Sequence, residues 1–124
     1  MIGGAGIDTL IGGAGKDSLT GSAGNDVFDF NALTELGLGA LARDVITAFV
    51  RGQDKIDLSS IDPNLALAGN QAFKFMTAAF NAPGQIHYSG GIISLNTDSD
   101  SATEYEIQLT GNIPATLAAT DFVL

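Results

Sequence analysis

No cysteine occurs in the 124 residues, so no disulfide braces the fold and no thiolate is available as a metal ligand or nucleophile. Histidine occurs once, as His87 in Ile86-His87-Tyr88. A zincin needs paired histidines in HExxH order, and a hydrolytic triad needs a nucleophile and an acid beside the imidazole. Neither can be assembled, and His87 reads as an ordinary strand residue. Basic residues are scarce, 5 against 14 acids, for a formal charge of −9. Such a chain is repelled by nucleic acid and by anionic membrane surfaces. No apolar run approaches the roughly 20 residues of a membrane-crossing helix, so no membrane insertion is expected. Also absent is a secretory leader: Met1-Ile2 runs straight into a glycine turn, without a basic start or an apolar core. An export address would have to lie elsewhere, and a start inside a repeat is what a piece of a longer protein would have. Disorder is excluded by a hydrophobic content of 45%, enough for a core. The length suits a single domain over residues 1–124.

Glycine is abundant, and its placement is periodic. Residues 3–29 are three nonapeptides in unbroken register: GGAGIDTLI (Gly3 to Ile11), GGAGKDSLT (Gly12 to Thr20) and GSAGNDVFD (Gly21 to Asp29). Each has Gly at its first and fourth positions, Asp at its sixth and a large apolar residue at its eighth. Ser22 alone breaks the glycine pattern, at the second position. A flexible linker would not hold Asp and a bulky apolar residue at fixed offsets.

The spacing has a physical reading. Glycines let a tight turn visit positive φ, which aims several carbonyl oxygens at one centre, and the aspartate adds a carboxylate. Calcium takes about six to eight oxygens of these two kinds. One turn cannot supply them all, so two turns must share an ion. The triplets Thr9-Leu10-Ile11, Ser18-Leu19-Thr20 and Val27-Phe28-Asp29 read as short strands. Alternation turns Leu10, Leu19 and Phe28 inward. With successive triplets on opposite walls of a flattened coil, turns one and three stack on one edge, and Asp8 and Asp26 share an ion. Asp17, on the other edge, has no partner repeat within residues 3–29. It requires a partner from beyond Phe30 or from an upstream repeat. Acids gathered around an ion repel one another without it, so folding is expected to depend on calcium.

Beyond the repeats, residues 31–42 read as a loop with one helical turn. Asp44 to Val50 and Lys55 to Leu58 read as strands around an Arg51-Gly52-Gln53 turn. Residues 59–69 are loop-like, with a short helical turn over Leu65 to Ala68. Ala72 to Met76 alternates weakly. Gly84 to Ser89 and Ile92 to Asn96 form a hairpin about Gly90-Gly91. Glu104 to Leu109 alternates Tyr105, Ile107 and Leu109 against polar neighbours, as a half-buried antiparallel strand does. Pro114 to Thr120 reads as a short helix with proline in its first turn. The expected fold is all-β: a short parallel β-roll of nonapeptide repeats (3–29) continuing into antiparallel β-strands (30–124) that cap it.

The nonapeptide GGxGxDxUx resembles the calcium-binding repeat of RTX (hemolysin-type) proteins. The chain as a whole is similar to the C-terminal domain of serralysin-type secreted metalloproteases. The stretch DVITAFVRGQDKIDLSSID (Asp44 to Asp62) is similar to the segment after their repeats, and the terminal DFVL to their terminus. RTX lipases and alginate epimerases carry related modules. The resemblance implies Ca²⁺ as cofactor, with carbonyls of Gly3, Ala5, Ser22 and Gly24 joining Asp8 and Asp26. Gly12 and Ala14 would serve beside Asp17. It also implies a secreted, extracellular bacterial protein. An upstream catalytic domain would precede this one. An uncleaved export signal in the final strands and tail would be read by a type I ABC-transporter machinery. Asp44 is a further candidate ligand, whereas Ala48 stands where relatives often carry Asp. Extracellular calcium modules work at roughly 10⁻⁴ to 10⁻³ M.

Other acidic groups read as scaffold. Asp98 and Asp100 in NTDSDSA lack the rest of an EF-hand loop. Glu104 and Glu106 share a solvated strand face. Asp54 and Asp57 flank Lys55 in what reads as a turn with local charge pairing. Ser59-Ser60 lacks the glycines of a nucleophile elbow, and Phe73, Phe75 and Phe80 read as core. No catalytic constellation assembles. The chain therefore reads as a non-catalytic calcium-binding domain. The alternative is a polysaccharide- or surface-binding module attached to a secreted enzyme, which would require an exposed basic or aromatic track.

Overall fold

The computed structural model describes residues 1–64, 69 and 71–124. Among the described residues eleven strands follow in order: β1 (Ile2–Ala5), β2 (Thr9–Leu10), β3 (Ser18–Ala23), β4 (Val27–Asp29), β5 (Asp44–Thr47), β6 (Lys55–Asp57), β7 (Lys74–Met76), β8 (Gln85–Ser89), β9 (Ile92–Asn96), β10 (Tyr105–Thr110) and β11 (Phe122–Val123). Two sheets form, in the orders β1-β3-β5-β10-β9-β8-β7 and β11-β6-β4-β2. The chain alternates between them from β1 to β6, with parallel pairing within each wall, which is a β-roll. β10 then lies parallel to β5 and antiparallel to β9, so it joins the roll to the antiparallel strands. β11 closes the other wall against β6. The all-β roll with an antiparallel continuation is the fold expected from the repeats.

The eighth residue of each repeat builds the core. Leu10, Phe28, Ile56 and Phe122 are successive neighbours across one wall, and Leu19, Ile46 and Leu109 across the other. All seven are buried. Each side chain withdrawn from water in this way contributes roughly 1.5–3 kcal/mol. The aspartate always precedes the inward residue by two positions: Asp8–Leu10, Asp17–Leu19, Asp26–Phe28, and again Asp44–Ile46 and Asp54–Ile56. The repeat period therefore outlasts its glycines.

Several local expectations change. The glycine-rich segments of repeats one and three are ladder-paired strand as well as turn, with Gly4 opposite Ser22 and Ala5 opposite Ala23. The strand expected over Asp44 to Val50 stops at Thr47, because Ala48 takes a φ of 62° and leads into a turn. Of the helix expected over Pro114 to Thr120, a 3-10 turn at Ala119–Asp121 remains. Ala118 is extended, and the Pro114 carbonyl is taken by the Tyr88 hydroxyl at 2.5 Å. A 3-10 turn at Leu33–Glu35 is the helical turn expected within 31–42. The turn expected over Leu65 to Ala68 lies outside the described residues. Phe73 is buried and Phe75 packs against the core, whereas Phe80 is only half-buried and sets its ring edge-on to His87.

Candidate metal centre

The roll stacks its turns along two edges. On one edge, the Asp8 amide donates to Asp26 Oδ1 (3.0 Å) and the Asp26 amide donates to Asp54 Oδ1 (3.1 Å). On the other, the Asp17 amide donates to Asp44 Oδ1 at 2.7 Å. Each bond fixes one carboxylate oxygen by the backbone of the turn before it. The second oxygen, Oδ2, of Asp8, Asp17, Asp26 and Asp44 is buried and has no hydrogen-bond partner. Buried carboxylate oxygens are seldom left unpaired, because desolvation is not repaid. Four such atoms on two edges are the arrangement that a bound divalent cation satisfies.

The glycines account for the shape of the turn. A Cβ on Gly3 or Gly12 would come within 2.7 Å of Oδ2 of Asp8 or Asp17, the aspartate of its own repeat. The carboxylate thus folds back onto the first glycine. Gly3, Ala5, Ser22 and Gly24 lie on the edge of Asp8 and Asp26. Gly12 and Ala14 lie on the edge of Asp17 and Asp44. Ser22 holds a φ of 83°, where repeats one and two place Gly4 and Gly13. Substituting Ser22→Gly is expected to raise stability by about 1 kcal/mol, the left-handed strain of a non-glycine residue less the chain entropy that glycine adds. The denaturation midpoint in calcium reads this directly.

Asp44 is completely buried, and burial is the main reason its carboxyl is raised from 3.8 to about 6. The Asp17 amide works against the rise, the Asp17 and Glu35 charges add to it, and Lys16 opposes it. A raised folded pKa means that the metal-free fold prefers the protonated acid. Its contribution to stability is full below the unfolded value and is lost as pH climbs through about 6. Metal-free protein is therefore expected to denature more easily at about pH 7 than at about pH 4.5. Calcium binds the ionised form, so its affinity at this edge should weaken as pH falls through the same window.

Asp54 joins this edge although the sequence reading leaves it outside the ligand set. It is 2% exposed and closes a turn, as expected, with its amide on the Val50 carbonyl, but the charge pair expected with Lys55 does not form. Its Oδ1 takes the Asp26 amide and its Oδ2 the Val50 amide at 2.9 Å, while Lys55 donates to the Thr120 carbonyl. The signal that finds it is Gly52-x-Asp54-x-Ile56, the fourth, sixth and eighth positions of a repeat without its leading glycines. Asp98, Asp100 and Glu104 also lie close together. Each instead accepts a backbone amide, from Asp100, Ala102 and Thr97 respectively, as turn-forming acids do. Glu106 pairs with Arg43 at 3.3 Å.

The sequence family described as peptidase M10 serralysin C terminal matches residues 1–124, the whole chain. The chain belongs to the serralysin C-terminal family. Among solved structures, it is similar to the AlgE6R3 subunit from the Azotobacter vinelandii mannuronan C5-epimerase, with a TM-score of 0.61 and 29% identity over 98% of this chain. The chain spans 65% of the length of that structure. No match was found among curated proteins. This serralysin C-terminal chain is an RTX-repeat β-roll, and calcium binding follows from its family. No helix among the described residues is long and apolar enough to cross a membrane.

Proposed function

We propose that this chain is a non-catalytic calcium-binding domain that folds when it meets extracellular calcium. In this reading residues 3–29 are the ion-binding part of a single domain and residues 30–124 its cap. The observation that carries it is the set of four buried, unpartnered Oδ2 atoms, divided between the Asp8–Asp26 edge and the Asp17–Asp44 edge. Asp8 and Asp26 would hold one ion with carbonyls of Gly3, Ala5, Ser22 and Gly24. Asp17 and Asp44 would hold another with carbonyls of Gly12 and Ala14. Calcium would neutralise the carboxylates and pin successive turns together. Asp54 would hold none, both of its oxygens being occupied by amides.

The setting proposed is that of the family: an upstream catalytic domain in the parent protein, and export through a type I transporter that reads the C-terminal residues. Folding outside the cell would then keep the exported chain from sliding back. The polysaccharide-binding alternative has less support. Four of the five basic side chains are engaged within the molecule, Lys16 with the Ala40 carbonyl, Arg43 with Glu106, Arg51 with Asp121 and Lys55 with the Thr120 carbonyl. They do not line a track for a polyanion.

Isothermal calorimetry on the chelated protein tests the reading. Uptake of calcium, with loss of one ion in Asp26→Ala and of a different ion in Asp44→Ala, is the expected result. No uptake at millimolar calcium would overturn it.

A further inference from the structure

The two edges set different charge beside equivalent carboxylates. The Asp17 amide donates to Asp44 Oδ1 as the Asp8 amide donates to Asp26 Oδ1, so the turns stack alike. Just before the leading aspartate stands Ile7 on the first edge and Lys16 on the second, both exposed. Ala40 precedes Asp44 by four residues, as Ser22 precedes Asp26. Ala40 therefore holds, on the second edge, the place of Ser22, whose carbonyl is read above as a ligand of the first ion. Lys16 Nζ donates to this Ala40 carbonyl at 2.5 Å. Ile7 has no donor to offer Ser22. On the later turns Asn25 and Arg43 precede the aspartate, but Arg43 is turned away, its charge met by Glu106 at 3.3 Å. Lys16 forms no ion pair among the described residues. Its charge is felt at the site nonetheless, since it lowers the Asp44 carboxyl against the rise that burial causes.

We propose that Lys16 is a built-in competitor for calcium: its ammonium occupies the Ala40 carbonyl of the Asp17–Asp44 site and lowers that site's affinity. The proposal rests on the calcium reading above and adds Ala40 to the second ligand set. An ammonium is a compact point charge. One carbonyl oxygen cannot hold both it and a divalent ion without setting two cations a few ångströms apart, where they repel strongly. To admit the ion, the Lys16 side chain has to leave Ala40 and turn to water, which its exposed position and flexible stem allow. Even displaced, its charge stays next to Asp17 and opposes the ion. The first edge, with Ile7 in the same place, carries no such competitor. Lys16 acts here through charge and through the carbonyl it takes, without touching the ion.

Calorimetric titration of the whole chain with calcium tests this in wild type, Lys16→Met and Lys16→Arg. Lys16→Met keeps the apolar stem without the charge and should tighten one ion by roughly three- to tenfold. Lys16→Arg keeps the charge and should bind as wild type does. Raising salt from about 0.05 M to about 0.5 M should shrink the gain, because charge then acts over a shorter range. In Asp44→Ala, from which the second ion is missing, adding Lys16→Met should change nothing. Ile7→Lys brings an ammonium to the first edge and should weaken calcium binding by a similar factor. Unchanged or weaker binding in Lys16→Met overturns the proposal, because the ammonium would then be idle or a tether of the turn. An equal gain in Lys16→Arg overturns it, as does a gain that salt does not diminish or that persists in Asp44→Ala. So does Ile7→Lys binding as wild type. Absence of calcium uptake by the wild-type protein is a separate result, and it removes the calcium reading itself.

Discussion

Chelation of calcium is expected to abolish the β signal of this protein, and neutralising Asp26 is expected to reverse sign with the metal. Four carboxylate oxygens are buried without a hydrogen-bond partner, and Asp26 is completely buried between two other aspartates. An unpaired buried charge costs about 3–5 kcal/mol, and a small domain has only about 5–15 kcal/mol in hand. Four such charges are enough to exhaust that margin. Circular dichroism in EGTA should therefore show loss of the strand spectrum, and added calcium should restore it. Native-like strand content in the chelated state would refute the argument. Asp26→Asn sharpens it. The amide retains Oδ1 for the Asp8 N–H but removes the charge. In calcium the variant should be less stable than wild type, because a ligand is lost. In EGTA it should be more stable, because the repulsion is lost. A variant that is destabilised equally in both media would mean that Asp26 serves only as a turn residue.

The second large effect is expected from Gly24→Ala, with Gly13→Ala as its control. Both glycines have positive φ, 142° and 88°. An alanine pays about 1–3 kcal/mol for such a conformation. Around Gly13 there is open space, so the conformational cost is the whole effect there. At Gly24 an added Cβ would fall on the carbonyl oxygen of Gly6, in the first turn of the same edge. That atom is backbone and is held by the ladder, since the neighbouring Gly6 amide donates to the Ala23 carbonyl at 2.8 Å. The two turns would have to separate, adding about 1–3 kcal/mol of overpacking and parting Asp8 from Asp26. Gly24→Ala should therefore cost both stability and calcium affinity at this edge, and Gly13→Ala mainly stability. Equal losses in the two variants would mean that the close approach of turns one and three is unimportant.

What could be read from the sequence follows from the range over which each feature is encoded. Within nine residues, glycine permits the turn, aspartate supplies the carboxylate and the eighth residue supplies the core. These are local relations, so the roll, its edges and the pairing of Asp8 with Asp26 are legible from spacing alone. The aspartate two places before an apolar residue continues at Asp44–Ile46 and Asp54–Ile56, but with Ala42 in place of the fourth-position glycine in one case and Phe49 and Val50 in place of the leading pair in the other. Without those glycines the local signal is too thin to distinguish a repeat from a charged turn, so Asp54 reads from sequence as part of a charged turn.

Tertiary structure decided what depends on which turn stacks on which. Asp17 and Asp44 are 27 residues apart, and the intervening loop has no fixed length that the repeat could dictate; they meet because β3 and β5 lie side by side in one wall. The grip of Arg51 on Asp121 spans 70 residues and exists only because β11 adds to the wall that β6 already occupies. The helix expected before it gave way for the same reason: burial of Leu117 and docking of Phe122 on Ile56 require an extended path there, and tertiary burial outweighs a weak local preference.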